Sequence, residues 1–156
     1  MRRKDREVTD REKIKSIILN CHCCRLGFVD EGEVYIVPLN FGFAEKEGKM
    51  TFYFHGAKEG RKIELIHKSP SVGFELDRNC EIIKGETACG YSARYESVIG
   101  NGVVSFVNDM DEKYEALQAI MHHYTGKDNW EFTEEMADRV CVFKLEVGKI
   151  SCKVHL

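Results

Sequence analysis

Two prolines, one tryptophan and no apolar run of bilayer length are what this 156-residue sequence has little or nothing of. With so few prolines and no serine- or glycine-rich tract, no stretch reads as a flexible linker. A membrane-spanning helix needs about 20 consecutive apolar residues, and none of that length occurs. The basic start Met1-Arg2-Arg3-Lys4-Asp5-Arg6 is followed by no apolar stretch, so it reads as a solvated arm and a secretory signal is not expected. Positive charge is not in excess either: 23 basic against 26 acidic residues leave a net charge of −3. Nothing there calls for nucleic acid as a partner. An even cysteine count is also missing. Seven cysteines fit free thiols in a reducing compartment better than a disulfide framework, and the expected location is the cytoplasm.

What is present is ordinary for a globular chain: 43% hydrophobic and 31% charged residues. One domain over 1–156 can bury roughly 70% of the surface its unfolded chain exposes. Thr9-Asp10-Arg11-Glu12 has capping-box spacing, and Ile14, Ile17 and Ile18 follow at helical intervals. Strands are predicted over 26–29, 34–43, 50–55 and 71–77, with turns at 30–33 and 45–49. Pro38 falls inside the second strand and marks an edge or a bulge. In the third, Met50, Phe52 and Phe54 alternate with Thr51, Tyr53 and His55.

A short helix is predicted over 61–68, a polar loop over 78–90 and a β segment over 95–107 bent at Gly100 and Gly102. Asp109-x-x-Glu112 opens the clearest helix, with Tyr114, Leu117, Ile120, Met121 and Tyr124 as its stripe and Gly126 as its stop. A helical turn follows Thr133, and 139–147 with 150–156 read as a hairpin about Gly148-Lys149. Six or seven antiparallel strands with peripheral helices predict a closed or split β-barrel of the α+β kind, mainly β. Residues 34–39 and 103–107 are apolar on both faces apart from Ser105, so a second subunit is expected to cover one face.

The stretch His55-Gly56-Ala57-Lys58-Glu59-Gly60-Arg61-Lys62 carries the most chemical information. A strand ends, small residues turn the chain, and a helix begins with two cations in its first turn. Cations are disfavoured there because the exposed N–H groups already make a helix start positive. An anion in the turn removes the conflict: glycines let backbone approach, N–H groups donate, and Arg61 and Lys62 add charge-assisted bonds. The plain alternative is a solvated turn, with Glu59 and Glu64 offsetting the cations. His55, beside the turn, is either structural or a hydrogen-bond and proton donor.

Cys21-His22-Cys23-Cys24 contains a CxxC, but a structural zinc needs two tight pairs, and Cys80 with Cys89 is too open to be the second. Buried thiols are the expected reading, and no metal site is predicted. His122 and His123 lie on the polar side of their helix as surface residues, since neighbours in sequence do not converge. Trp130, in a polar loop, either plugs the barrel rim or reaches over a flat ligand in a neighbouring subunit.

Several segments occur together and in order: Arg2-Arg3-Lys4, Val37-Pro38-Leu39-Asn40-Phe41, Phe52-Tyr53-Phe54-His55-Gly56-Ala57, Gly60-Arg61-Lys62, Arg94-Tyr95-Glu96-Ser97-Val98-Ile99-Gly100 and Glu112-Lys113-Tyr114-Glu115-Ala116-Leu117. In that order they resemble the nitroimidazole-resistance proteins, a branch of the pyridoxamine 5′-phosphate oxidase-like flavoproteins. The resemblance implies a homodimeric split barrel with FMN between subunits. It implies that Gly60, Arg61 and Lys62 hold the phosphate. Val37, Pro38, Leu39 and Asn40, with Tyr95, Glu96, Ser97 and Val98, would line the isoalloxazine, and His55 would stand at the reactive position. Phe54, Gly56 and Lys58 complete the expected cofactor set. The implied activity is reduction of small electrophiles such as nitroaromatics. The alternatives are a non-catalytic flavin-binding protein and a split barrel that takes haem or a deazaflavin. Cys21 to Cys24, Cys80 and Cys89 are not part of the resemblance.

Overall fold

Asp10, rather than Thr9, caps the first helix of this computed structural model, which describes residues 3–156. Met1 and Arg2 of the basic arm lie outside the described residues. The Asp10 carboxylate accepts from the Lys13 N–H at 3.1 Å, so the predicted capping box is displaced by one residue. Helix α1 (Arg11–Leu19) buries Ile14, Ile17 and Ile18, the stripe its spacing predicts.

Strands β2 (Cys24–Asp30) and β3 (Glu33–Leu39) form a hairpin whose turn has Glu31 at φ 53° and Gly32 at φ 90°. Two successive positive φ angles match the twist of the flanking strands. Glu47 (φ 51°) and Gly48 (φ 77°) do the same between β4 (Gly42–Lys46) and β5 (Lys49–Gly56). The single strand predicted over 34–43 is thus two strands, broken where the Phe41 ring drops fully into the core. Pro38 lies on β3, an edge strand, where the missing N–H costs no central ladder bond.

Two further predictions need correction. The polar segment predicted as a loop from 78 is in part strand, because β6 runs Ser71–Ile83 with a register shift between Arg78 and Glu81. Strand β7 spans Ser92–Phe106. The hairpin predicted about Gly148-Lys149 does not form: β8 is one strand, Cys141–His155, along the whole of β7. Its ladder pairs Asn101 with Lys149 and Gly102 with Val147, so Gly148 is the extra residue of a bulge. With β1 (Glu7–Val8) the described residues form eight strands, ordered β3-β2-β6-β7-β8-β5-β4, with β1 paired to β8.

The order explains the closure. Strands β3 and β4 are the two edges of the sheet, yet only Asn40 and Phe41 separate them in the chain. A link that short brings the edges together and curls the sheet into a split barrel. Leu26, Phe28, Phe52, Phe54, Phe74, Leu76, Val98, Phe143 and Leu145 fill its interior, with Ile17 and Ile18 of α1 and Leu65 and Ile66 of α2 (Arg61–Lys68).

A second, smaller core lies outside the barrel. There Tyr53 and Val142 meet Ala116, Leu117 and Ile120 of α3 (Met110–Thr125) and Ala137 of α4 (Glu134–Asp138). Gly42 permits the close approach of α3: a Cβ there would stand 2.5 Å from the Ile120 nitrogen. No helix among the described residues is long and apolar enough to cross a membrane.

Candidate functional site

Strand β5 delivers His55 and Gly56 to one end of the barrel, opposite Val142 and Cys141 of β8. The chain then turns through Gly60, whose φ of 118° is a conformation that a side chain disfavours, into α2. No side chain caps α2. Ile63 and Glu64 donate to the Gly60 carbonyl at 2.9 and 3.2 Å, and the N–H groups of Arg61 and Lys62 have no acceptor among the described residues. The four atoms that could meet an anion here are therefore two free N–H groups and the Lys58 and Lys62 ammoniums. No ion pair among the described residues includes either lysine.

Lys62 folds back over Gly56: a Cβ on Gly56 would lie 3.0 Å from Lys62 Cε and 3.1 Å from Nζ. Arg61 turns the other way. Its guanidinium donates to Asp30 Oδ2 at 3.2 Å and sits 4.5 Å over the Tyr35 ring, tying α2 to the β2–β3 hairpin. His55 is exposed, on the same strand face as Tyr53. Partial shielding of its ring, and then the Lys62 ammonium, lower its pKa from the ordinary 6.5.

Beside the turn opens a cavity of about 420 Å³, whose walls include Lys58, His67, Lys113 and Cys141. Lys113 is absent from the predicted site, although it is only 8% exposed. Its signal was in the sequence: Lys113, Leu117 and Ile120 share one helical face, so a charge occupies a core-facing slot.

The remaining predicted residues separate into two groups. Val37, Pro38, Leu39 and Asn40 follow the edge strand β3 towards the link that closes the barrel. The Phe54 and Val98 side chains are fully buried in the core, so only their backbones can meet a ligand. Tyr95, Glu96 and Ser97 lie far along β7, where they pair with His155, Val154 and Lys153. The end of β7 beside the His55 turn is Phe106, paired with Phe143. Eight residues of strand from Val98 to Phe106 span about 25 Å, so one copy of the chain does not bring Tyr95–Val98 to His55. Glu96 is buried and already engaged, pairing with Arg78 and accepting from Asn79 Nδ2 at 3.0 Å.

His123 is not the surface residue predicted. Its Nε2 lies 2.8 Å from the Cys21 carbonyl and its ring 4.2 Å from Phe41, while Nδ1 is buried without a partner among the described residues. Burial lowers its pKa. His122 is exposed and bonds Asp128, as a surface residue should. Trp130 donates through Nε1 to the Lys127 carbonyl at 3.2 Å, within its own loop. All seven cysteines are free, and burial pushes Cys21 up to about 12.

A split antiparallel barrel with a cationic strand-to-helix turn at one end defines a class of small β-barrel proteins. The family model described as pyridoxamine 5′-phosphate oxidase matches residues 10–154, and the chain belongs to that family. A candidate 5-nitroimidazole antibiotic resistance protein from Bacteroides thetaiotaomicron is 37% identical, with 95% of this chain and 86% of that one covered and a TM-score of 0.81. A flavocytochrome from Azotobacter vinelandii shares the fold at 19% identity, covering 100% of this chain and 72% of that one, with a TM-score of 0.82. An FAD- and haem-binding protein from Mycobacterium smegmatis does so at 16% identity, 96% and 73% coverage and a TM-score of 0.80. Among curated proteins, none matches this sequence significantly.

Proposed function

We propose that the protein binds FMN non-covalently at the β5–α2 turn and acts, as a homodimer, in the reduction of small electrophiles of the nitroaromatic kind. The observation that carries the reading is the cradle at Gly56. The absence of a Cβ on Gly56 gives Lys62 room to lie close across the strand end, next to two unpaired helix N–H groups. That donor set suits a phosphate. The kinship to a protein named for nitroimidazole resistance supports the substrate class.

Bound FMN would supply the electron- and hydride-transfer chemistry. The chain's own residues would do the rest. Lys62 and the N–H groups of Arg61 and Lys62 hold the anionic end. Val37 to Asn40 flank the ring system from the closing edge. His55 holds a proton within reach of a bound substrate.

The dimer has two supports. Val29, Val34 and Ile36 on β2–β3, and Ile99 and Val103 on β7, are each at least half exposed. The ladder sets Ile36 beside Gly27, Gly27 beside Gly73 and Gly73 beside Asn101, so glycines flatten the sheet between the apolar groups. Such a face favours burial against a second copy. A second copy also provides the route by which Tyr95, Glu96, Ser97 and Val98 reach a flavin held at the turn of the first.

The test is an absorption spectrum of the purified protein, followed by heat release and identification of the chromophore. The two-band spectrum of oxidised flavin with FMN in the supernatant is expected; a haem Soret band or a deazaflavin spectrum would replace the cofactor assignment. A colourless protein that takes up no added FMN rejects it. The reduced protein is then mixed anaerobically with a 5-nitroimidazole. Reoxidation within seconds is the expected result, and a reduced flavin stable to the nitro compound leaves a flavin-binding protein without this activity.

A further inference from the structure

Two adjacent residues in the last turn of α3 fasten it to two other parts of the chain. His123 Nε2 lies 2.8 Å from the carbonyl of Cys21, in the loop between α1 and β2. The Tyr124 hydroxyl donates to the next carbonyl, that of His22, at 2.8 Å, and accepts from the Phe41 N–H at 3.1 Å. Phe41 belongs to the two-residue link between the edge strands β3 and β4. Its fully buried ring is 5.5 Å from that of Phe52 and 4.2 Å from the His123 imidazole. Closure of the barrel therefore leans on this helix end.

The hydrogen bonds fix the tautomer of the imidazole. A carbonyl oxygen can only accept, so Nε2 carries the proton and Nδ1 the lone pair. Nδ1 is buried and has no partner among the described residues. Protonation would put a charged donor there, facing no acceptor from the chain, which costs far more than an unused lone pair.

The surrounding groups do not offset that cost. Burial lowers the His123 pKa most; the bond to the Cys21 carbonyl opposes it, while His22 in the α1–β2 loop and His122 on α3 add to the lowering. Asp128, in the loop after α3, is bonded to His122 Nδ1 at 2.7 Å. Burial keeps the Cys21 thiol neutral, pushed up to about 12, and raises the Tyr124 phenol. Leu19 of α1 and Phe43 of β4 flank the ring without charge.

We propose that His123 is an acid-operated latch on the link that closes the barrel. The neutral ring fastens α3 to the Cys21 carbonyl and packs on Phe41; the protonated ring leaves for water and frees Asn40 and Phe41. The latch holds fully above the ordinary 6.5 of an exposed imidazole and is lost as pH falls towards the lower folded value. Val37 to Asn40 run into the link, so opening also loosens the strand end that would flank the flavin ring. That consequence alone rests on the proposed flavin function.

The test follows the Phe41 amide, whose hydrogen bond ends on Tyr124. Its hydrogen exchange, corrected for the intrinsic effect of pH, is read by NMR at pH 7.5 and 5.5 together with the His123 ring nitrogens. Exchange is expected to be several-fold faster at pH 5.5 in the wild type. It is expected to be equal at the two pH values in His123→Gln, whose amide can donate to the Cys21 carbonyl but does not titrate. A His123 that protonates with Phe41 unmoved overturns the latch, and so does equal loosening in His123→Gln. If that variant misfolds, the wild type decides alone: ring titration and loss of Phe41 protection must share one midpoint, and separate midpoints overturn the proposal.

Flavin retention is the second readout. FMN affinity is expected to fall several-fold from pH 7.5 to 5.5 in the wild type and by less in His123→Gln. A protein that takes up no flavin fails the flavin reading, and the Phe41 exchange then decides the latch by itself. Acid-sensitive exchange with the same pH dependence of FMN affinity in both proteins would refute the connection to the cofactor.

Discussion

Lys62 lies across Gly56, with its Cε and Nζ 3.0 and 3.1 Å from the point where a Cβ would stand. A methyl group there meets only the end of a flexible side chain. Gly56→Ala should therefore change folding stability by less than about 0.5 kcal/mol, yet push Lys62 off the turn and weaken FMN binding several-fold. Urea unfolding and flavin titration of the same variant check both halves. Gly42→Ala is the contrast. Its Cβ would meet the α3 backbone at 2.5–2.6 Å, so a loss of about 1–3 kcal/mol is expected, and a neutral result would show that α3 can move.

Arg61 and Lys62 should not contribute equally to holding the phosphate. The Arg61 guanidinium is committed to Asp30 and Tyr35, whereas the Lys62 ammonium has no carboxylate partner among the described residues. A charge-assisted bond is worth about 1.5–3 kcal/mol. Lys62→Ala should thus weaken FMN by at least about tenfold, and Arg61→Ala by much less, with calorimetric titration as the measure. The reverse order would mean that Arg61 leaves Asp30 when the ligand arrives.

Stability should fall on acidification. His55 and His123 both have folded pKa values below the ordinary 6.5, with burial the first cause in each. The unfolded chain then binds more protons than the folded one as pH drops through 6.5, so the stabilisation present above that value is lost towards the folded pKa values. Urea midpoints at pH 7.5 and 5.5 should differ, and His123→Phe should remove part of the difference. A midpoint independent of pH over that range would contradict the assignment.

His55 is the candidate proton donor, and its lowered pKa gives the pH dependence a sign. The protonated fraction is small at neutral pH and grows as pH falls, so turnover with a nitro compound should rise from pH 8 towards pH 6. His55→Ala should keep FMN and lose about a hundredfold or more in turnover. His55→Gln can hydrogen-bond but not donate an acidic proton. If it restores the rate, the residue orients the ligand; if both variants turn over like wild type, His55 is structural.

A dimer should be present at micromolar concentration by light scattering. Ile36→Lys with Val103→Lys, both outward on the sheet, should give monomers with an intact fold. The monomer should also bind flavin more weakly, because Tyr95–Val98 of a second copy is then missing. A wild-type monomer mass would remove the dimer from the reading.

Much of this fold was legible where residues alternate or cap. The alternation of Phe52, Tyr53 and Phe54 foretold two opposite faces, of which one lies in the barrel and the other packs under α3, and Gly126 ends α3 in the left-handed conformation its position predicts. Signals that serve two structures were misread. Gly148-Lys149 looks like a hairpin turn because a bulge uses the same residue types. Arg78 to Cys80 looks like loop because β6 leaves the barrel there, so no face of it needs to be apolar. At the site, Gly60, Arg61 and Lys62 stood out as a charge conflict with the helix. Lys113 did not, since a lysine on a helix is unremarkable until the face it occupies is known to be covered.

Strand β8 follows the other strands in chain order, yet it is the partner of β1, β5 and β7, and β5 and β7 are not paired with each other. During synthesis the earlier strands therefore emerge without the neighbour that completes their ladders. Until β8 clears the ribosome, β5 and β7 each present a bare edge rich in aromatic and β-branched residues, the kind of surface that recruits other chains. Closure of this barrel therefore waits until β8 has emerged, and nascent-chain protection, more than native stability, should limit how much of it a cell accumulates.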